Sequence, residues 1–398
     1  MTHLDKTNVF RYVVMCILLV SSSTCRLRDS KSSLREGETV PTVDAELSPV
    51  DNRSATGGLL GSSDEMPADL VALPKFKMSG AYPATADYLT TQPPFPNMDI
   101  LKGSDPTTAK AEAKRWLDAM QTYIYEDMND QSKDPNNLFR HAGGGEISKK
   151  RWYHMPWLQS VGAKATNNGR GRDSIWGLTR EGIDLNGPFS WPVRIGSTCL
   201  GQEWGLALFN EPGAFAIGQA FPAGTNIDPP KAVFPVGTVS SKLLFAAADP
   251  AAVPEIATAM QIQAWINGGG KCSTNEPRQL TTMYHIQNDI MLKFGPNPGD
   301  WIFGVFVHNP KKILSEANPQ GYWQGMEPLG VQWGTQLAET IVVSDELKPN
   351  GNGGRLNGPA DGSSSNCYGC HQGGRDFSFE FDIGFQRQNS EKARLGVK

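Results

Sequence analysis

No stretch of 18 consecutive apolar residues occurs anywhere in the 398-residue chain, so a permanent membrane-crossing helix, which needs about 20, is not expected. An excess of either charge is also missing. With 37 basic against 41 acidic residues, a formal charge of −4 leaves no footprint for nucleic acid or for an anionic membrane surface, and neither is expected as a partner. No internal repeat of fixed period is found. Acid, base and nucleophile sets at supporting spacing are absent: Glu203, Glu181 and Arg180 read as surface or loop residues, and Gly143-Gly144-Gly145 lacks the Lys-Ser/Thr of a phosphate loop. Histidine is scarce at six, no HxxxH occurs, and CxxC occurs once, so a four-ligand zinc site lacks its second pair of ligands.

What is present reads as globular and loop-rich: 39% apolar residues, 42 Gly, 28 Pro and 10 Trp. The length suits one large domain or two modest ones. Residues 1–25 have the parts of a secretory signal peptide in order: Lys6 and Arg11, an apolar run from Val13 to Val20, then Ser21 to Thr24. Export to the periplasm is therefore expected. Cys25 is either a lipid-modified anchor, the one route to the membrane considered, or a bystander to ordinary cleavage near Ser23. Cys199 and Cys272 lie near glycine turns and are open to two readings, a disulfide or two separate thiols.

Residues 26–85 are polar, small or proline-rich and read as a flexible tether. Residues 86–345 read as a β-rich globular domain. Its clearest helix is capped by Asp105, opens on Pro106 and repeats Ala113, Trp116, Leu117, Met120 and Ile124 on one face to about Met128. Strand-like runs follow at Trp204–Phe209, Phe215–Phe221, Val239–Phe245, Thr282–Phe294, Trp301–Val307 and Leu329–Trp333, with one helix expected from Pro254 to about Ile266. The fold class is mainly β with a few helices (α+β), a β-sandwich or barrel-like body, followed by a haem c attachment segment over residues 346–398.

The segment's signature is Cys367-Tyr368-Gly369-Cys370-His371. Two thiols three positions apart can each form a thioether with a haem vinyl group, and the adjacent His371 reaches the iron from one side. By composition the pattern arises at random on the order of once in a thousand such chains. One covalent haem c on Cys367 and Cys370, with His371 as proximal ligand, is the expected cofactor. A structural zinc or a thiol redox pair are the competing readings. Since no His, Met or Cys follows His371, the sixth ligand of a six-coordinate iron must come from upstream; the other reading is a five-coordinate iron with an open face. His141, His154, His285 and His308 are candidates. His154 stands out within Trp152-Tyr153-His154-Met155-Pro156-Trp157, as an iron ligand or as a structural histidine in an aromatic cluster, with Met155 a further candidate.

Several segments together resemble a family of uncharacterised bacterial exported proteins with a cytochrome c domain: WYHMPW at 152–157, GLTRE at 177–181, WGLALFN at 204–210, FPVGTVSSKLLF at 234–245, DWIFGVFV at 300–307, LGVQWG at 329–334 and RLNGPADGSSSNCYGCH at 355–371. Family members often carry a histidine just before GLT, where this chain has Trp176. The resemblance implies haem binding and electron transfer to a redox partner protein, and no assigned residue beyond the haem motif. A haem-dependent oxidoreductase or a haem-based sensor with an open distal face is the alternative.

Overall fold

The computed structural model describes, apart from short breaks, residues 70–126, 152–156, 172–184, 201–267, 277–311, 325–344 and 367–381. The signal peptide, most of the tether, Cys25, His141, Cys199, Cys272 and the side chain of Cys370 lie outside the described residues.

Helix α1 (Met98–Leu101) leads into α2 (Pro106–Tyr125). The Asp105 carboxylate accepts from the backbone N–H of Thr107 and Thr108, which satisfies donors that the first turn leaves open. Trp116, Leu117, Met120 and Ile124 are fully buried along one stripe of α2. Each such side chain stabilises the fold by about 1.5–3 kcal/mol on burial, so the stripe rather than helix propensity holds α2 in place.

Nine antiparallel strands make one sheet: β1 (Trp152–His154), β2 (Thr179–Asp184), β3 (Gly201–Asn210), β4 (Val239–Ala248), β5 (Gln261–Asn267), β6 (Arg278–Lys293), β7 (Trp301–His308), β8 (Met326–Trp333) and β9 (Thr340–Val342). The order is β1-β3-β4-β6-β7-β8-β9, with β2 also on β3 and β5 also on β6. Among the described residues the sheet is not closed. The mainly β expectation is met, and the body is an open sheet covered on both faces rather than a closed barrel.

Side chains alternate between the two faces of a strand. Trp204, Leu206, Leu208, Leu243, Ile290, Leu292, Ile302 and Phe306 point to one face and pack under α2. Gly304 permits the closest approach, because a Cβ there would sit 2.7 Å from Leu117 and 2.9 Å from Ile290. Tyr153, Phe209, Trp301 and Phe303 point to the other face. There they meet Ala214, Ile217 and Ala220 of helix α3 (Glu211–Ala220), together with Phe221, Phe234 and Phe381.

Two elements differ from expectation. The run Phe215–Phe221, expected as a strand, belongs mostly to α3: the Asn210 side chain accepts from the Gly213 N–H and Pro212 occupies the first turn, a helix start that outweighs the apolar composition. The stretch expected to be a helix from Pro254 to Ile266 is a 3-10 turn, Pro254–Thr258, followed by β5. There Ile262, Ala264 and Ile266 are buried while Gln261 and Gln263 are exposed, a period of two. Glu203, read as a surface or loop residue, is fully buried in β3. Within the range read as tether, Phe76 and Tyr82 are buried on the body: Phe76 lies edge-on to His154, and the Tyr82 hydroxyl donates to the His154 carbonyl at 2.7 Å.

Candidate functional site

The strand registers line up one residue from each of seven strands on the aromatic face: Tyr153, Phe209, Ser240, Met291, Phe303, Gln332 and Thr340, from β1 to β9. The Cys367-x-x-Cys370-His371 segment sits beside β7 and β8 of this row as a single helical turn, α4 (Cys367–His371). The Tyr368 N–H donates to Gln332 Oε1 at 3.1 Å. The His371 ring lies 5.3 Å from the Phe303 ring, and the Tyr368 ring meets Phe303 edge-on at 6.4 Å. Cys367 and Tyr368 are partly buried against the aromatic cluster. Met155 and Met291 also pack on that cluster.

A second anchor follows five positions after His371. Asp376 adopts φ of +45°, a conformation Asp tolerates better than most residues, and turns its carboxylate into the body. One oxygen accepts from the Phe234 N–H at 2.6 Å, and the other pairs with Lys293 Nζ at 2.6 Å, with Trp301 Nε1 at 3.4 Å. The Lys293 and Asp376 side chains are 1% and 5% exposed. Lys293 also donates to the Asn297 carbonyl and lies 5.2 Å from the centroid of the Trp301 ring. Phe381, fully buried, stacks on Phe234 at 4.7 Å. The segment that carries α4 is therefore held by an ion pair and a ring stack on the same face.

Tyr368 reaches the β6–β7 turn, where Gly299 makes room for it: a Cβ at Gly299 would lie 2.6 Å from the Tyr368 hydroxyl oxygen. Burial, then the carboxylates of Glu339 and Asp300, push the Tyr368 phenol up. Gly299→Ala is expected to destabilise the protein by about 1–3 kcal/mol, the usual range for overpacking, and Tyr368→Phe in the same chain should recover most of the loss. Urea unfolding of both variants checks this; a double variant no better than Gly299→Ala would rule out the clash.

His154 is fully buried, but its side chain points to the α2 face with Trp152 and Phe76. The structure does not bring it to α4. His285 pairs in register with Phe245 and lies 5.0 Å from that ring, and His308 Nε2 meets Thr258 Oγ1 at 3.0 Å at the far end of β7. An open hollow of about 630 Å³, between the start of α2 and the β8–β9 edge, is lined by Lys102, Lys110, Trp333 and Glu339 and includes no residue of α4. Met291, Phe303, Gln332, Lys293 and Asp376 carried no functional signal in the sequence. The pairing of β6, β7 and β8 gathers the first four, and the segment after α4 brings Asp376 to Lys293.

Comparison with protein-family models, curated proteins and solved structures gives no match for the chain.

Proposed function

We propose that the protein binds one covalent haem c and transfers electrons outside the cytoplasm, with residues 346–398 as the attachment segment. The observation that carries this reading is Cys367, Cys370 and His371 on one helical turn, laid against a wall of aromatic rings. The donor set fits the group: two thiols to hold the macrocycle and an imidazole, adjacent in sequence, for its iron. Phe303 and Tyr368 supply the apolar surface that would exclude water from a haem edge. Once bound, the haem would supply a one-electron couple; the protein's part is to hold it, shield it and set its potential. The apolar run at Val13–Val20 supports export, since c-type attachment is completed outside the cytoplasm.

Production in a host with haem c maturation machinery tests the reading. Mass spectrometry of the denatured protein is expected to find one haem's mass added and in-gel haem staining to be positive. Cys367→Ser with Cys370→Ser should lose both signals. Two unmodified thiols in the wild-type chain, or stoichiometric zinc in their place, would overturn it.

A further inference from the structure

We infer that Met291 is the side chain of the body that would ligate the haem iron through its thioether sulfur, together with His371. The inference rests on the haem reading above and adds the distal side to it.

A second ligand must lie on the same sheet face as α4, within reach of His371, and be a side chain that iron binds. The described His residues of the body miss the first or the second condition. His154 points to the opposite face. His285 lies six residues along β6 from Met291, roughly 20 Å at about 3.4 Å per residue. His308 lies five residues along β7 from Phe303, roughly 17 Å, and is engaged with Thr258. Sulfur donors remain. Met120, Met260, Met283 and Met326 belong to the core under α2. Met155 and Met291 pack on the aromatic cluster, as Cys367 and Tyr368 do.

Register separates these two. Met291 is the direct cross-strand neighbour of Phe303, the residue whose ring touches His371. Directly opposite side chains stand about 5 Å apart at Cβ. Met155 follows the edge strand β1, which the order β1-β3-β4-β6-β7 places four strand spacings from Phe303, roughly 19 Å at about 4.8 Å each. Met291 is also only partly buried, so its flexible side chain has room to move toward a group placed beside it.

The full-length protein with attached haem is the test material, and denatured mass reads haem content in every variant. Wild-type ferric protein is expected to be low-spin with the weak far-red sulfur-to-iron charge-transfer band, and ferrous protein to ignore carbon monoxide. Met291→Leu, which keeps the volume, should lose the band, turn high-spin and bind carbon monoxide. Met291→His should restore a low-spin spectrum at a lower reduction potential, because Met ligation raises the potential. Met155→Leu and His154→Ala should leave the wild-type spectrum unchanged. Retention of the band in Met291→Leu, or its loss in either control, overturns the assignment while the haem reading stands. A wild-type chain without covalent haem sinks both.

Discussion

Lys293→Met is expected to be the most damaging single substitution at the attachment segment, costing about 3–5 kcal/mol, because it leaves the Asp376 carboxylate buried without its cation. The remaining donors, the Phe234 N–H and the more distant Trp301 Nε1, are neutral and do not replace a full charge. Asp376→Asn in the same chain removes the stranded charge and tolerates the positive φ, so Lys293→Met/Asp376→Asn should recover much of the loss. Urea midpoints for both variants read the effect. If Lys293→Met unfolds at the wild-type midpoint, the pair does not hold the segment.

Acidification is expected to destabilise the protein well above the pH at which its carboxylates titrate. Burial, reinforced by the neighbouring His308, lowers the His285 imidazole to about 3, and burial lowers His308 to about 4. Both are neutral in the folded protein, while in the unfolded chain each takes up a proton near pH 6.5. Their stabilising contribution is therefore complete above pH 6.5 and is lost as pH falls towards the folded values, at about 1.4 kcal/mol per unit for each histidine. Between pH 6.5 and 5 the loss comes to about 3 kcal/mol for the two together. The buried Asp173 works in the opposite direction at lower pH: desolvation raises its carboxyl, so the folded state keeps a proton there that the unfolded chain releases above its ordinary value. Denaturant midpoints between pH 7 and 5 measure the slope, and His308→Gln should roughly halve it. A flat wild-type profile over that range would dispose of the mechanism.

The helix α2 was legible because its signals are local: Asp105 as cap, Pro106 at the first position and a 3.6-residue apolar repeat. The long strands β3, β4, β6, β7 and β8 were legible for a similar reason, as runs of β-branched and aromatic residues between turns. At α3 the same rule failed: Phe215 to Phe221 has strand-like composition, and the deciding signal was the cap at Asn210 with Pro212 behind it. Before β5, a proline start suggested a helix, although the alternation from Gln261 to Ile266 was already that of a strand. The spacing Cys367-x-x-Cys370-His371 is visible in the sequence directly. The row of side chains it lies against is not: it depends on Ser240, Met291 and Phe303 pairing in register, and on a bulge beside Leu244 that shifts the facing of β6. His154 drew attention through its aromatic neighbours in sequence, yet alternation along β1 puts it with Trp152 and Phe76 on the face opposite Tyr153 and α4.

Strands β6, β7, β8 and β9 are neighbours in both chain order and space, so their pairing closes loops far shorter than the separation of Lys293 from Asp376. The contact between Lys293 and Asp376, by contrast, spans 83 residues. Contacts of such long range carry the larger loop-closure entropy and tend to form after the local ones. The sheet is thus expected to assemble first and the Cys367–His371 turn to settle onto it late. Until it docks, that turn stays open to any enzyme that modifies it, and docking then covers Cys367 and Tyr368 against the aromatic face.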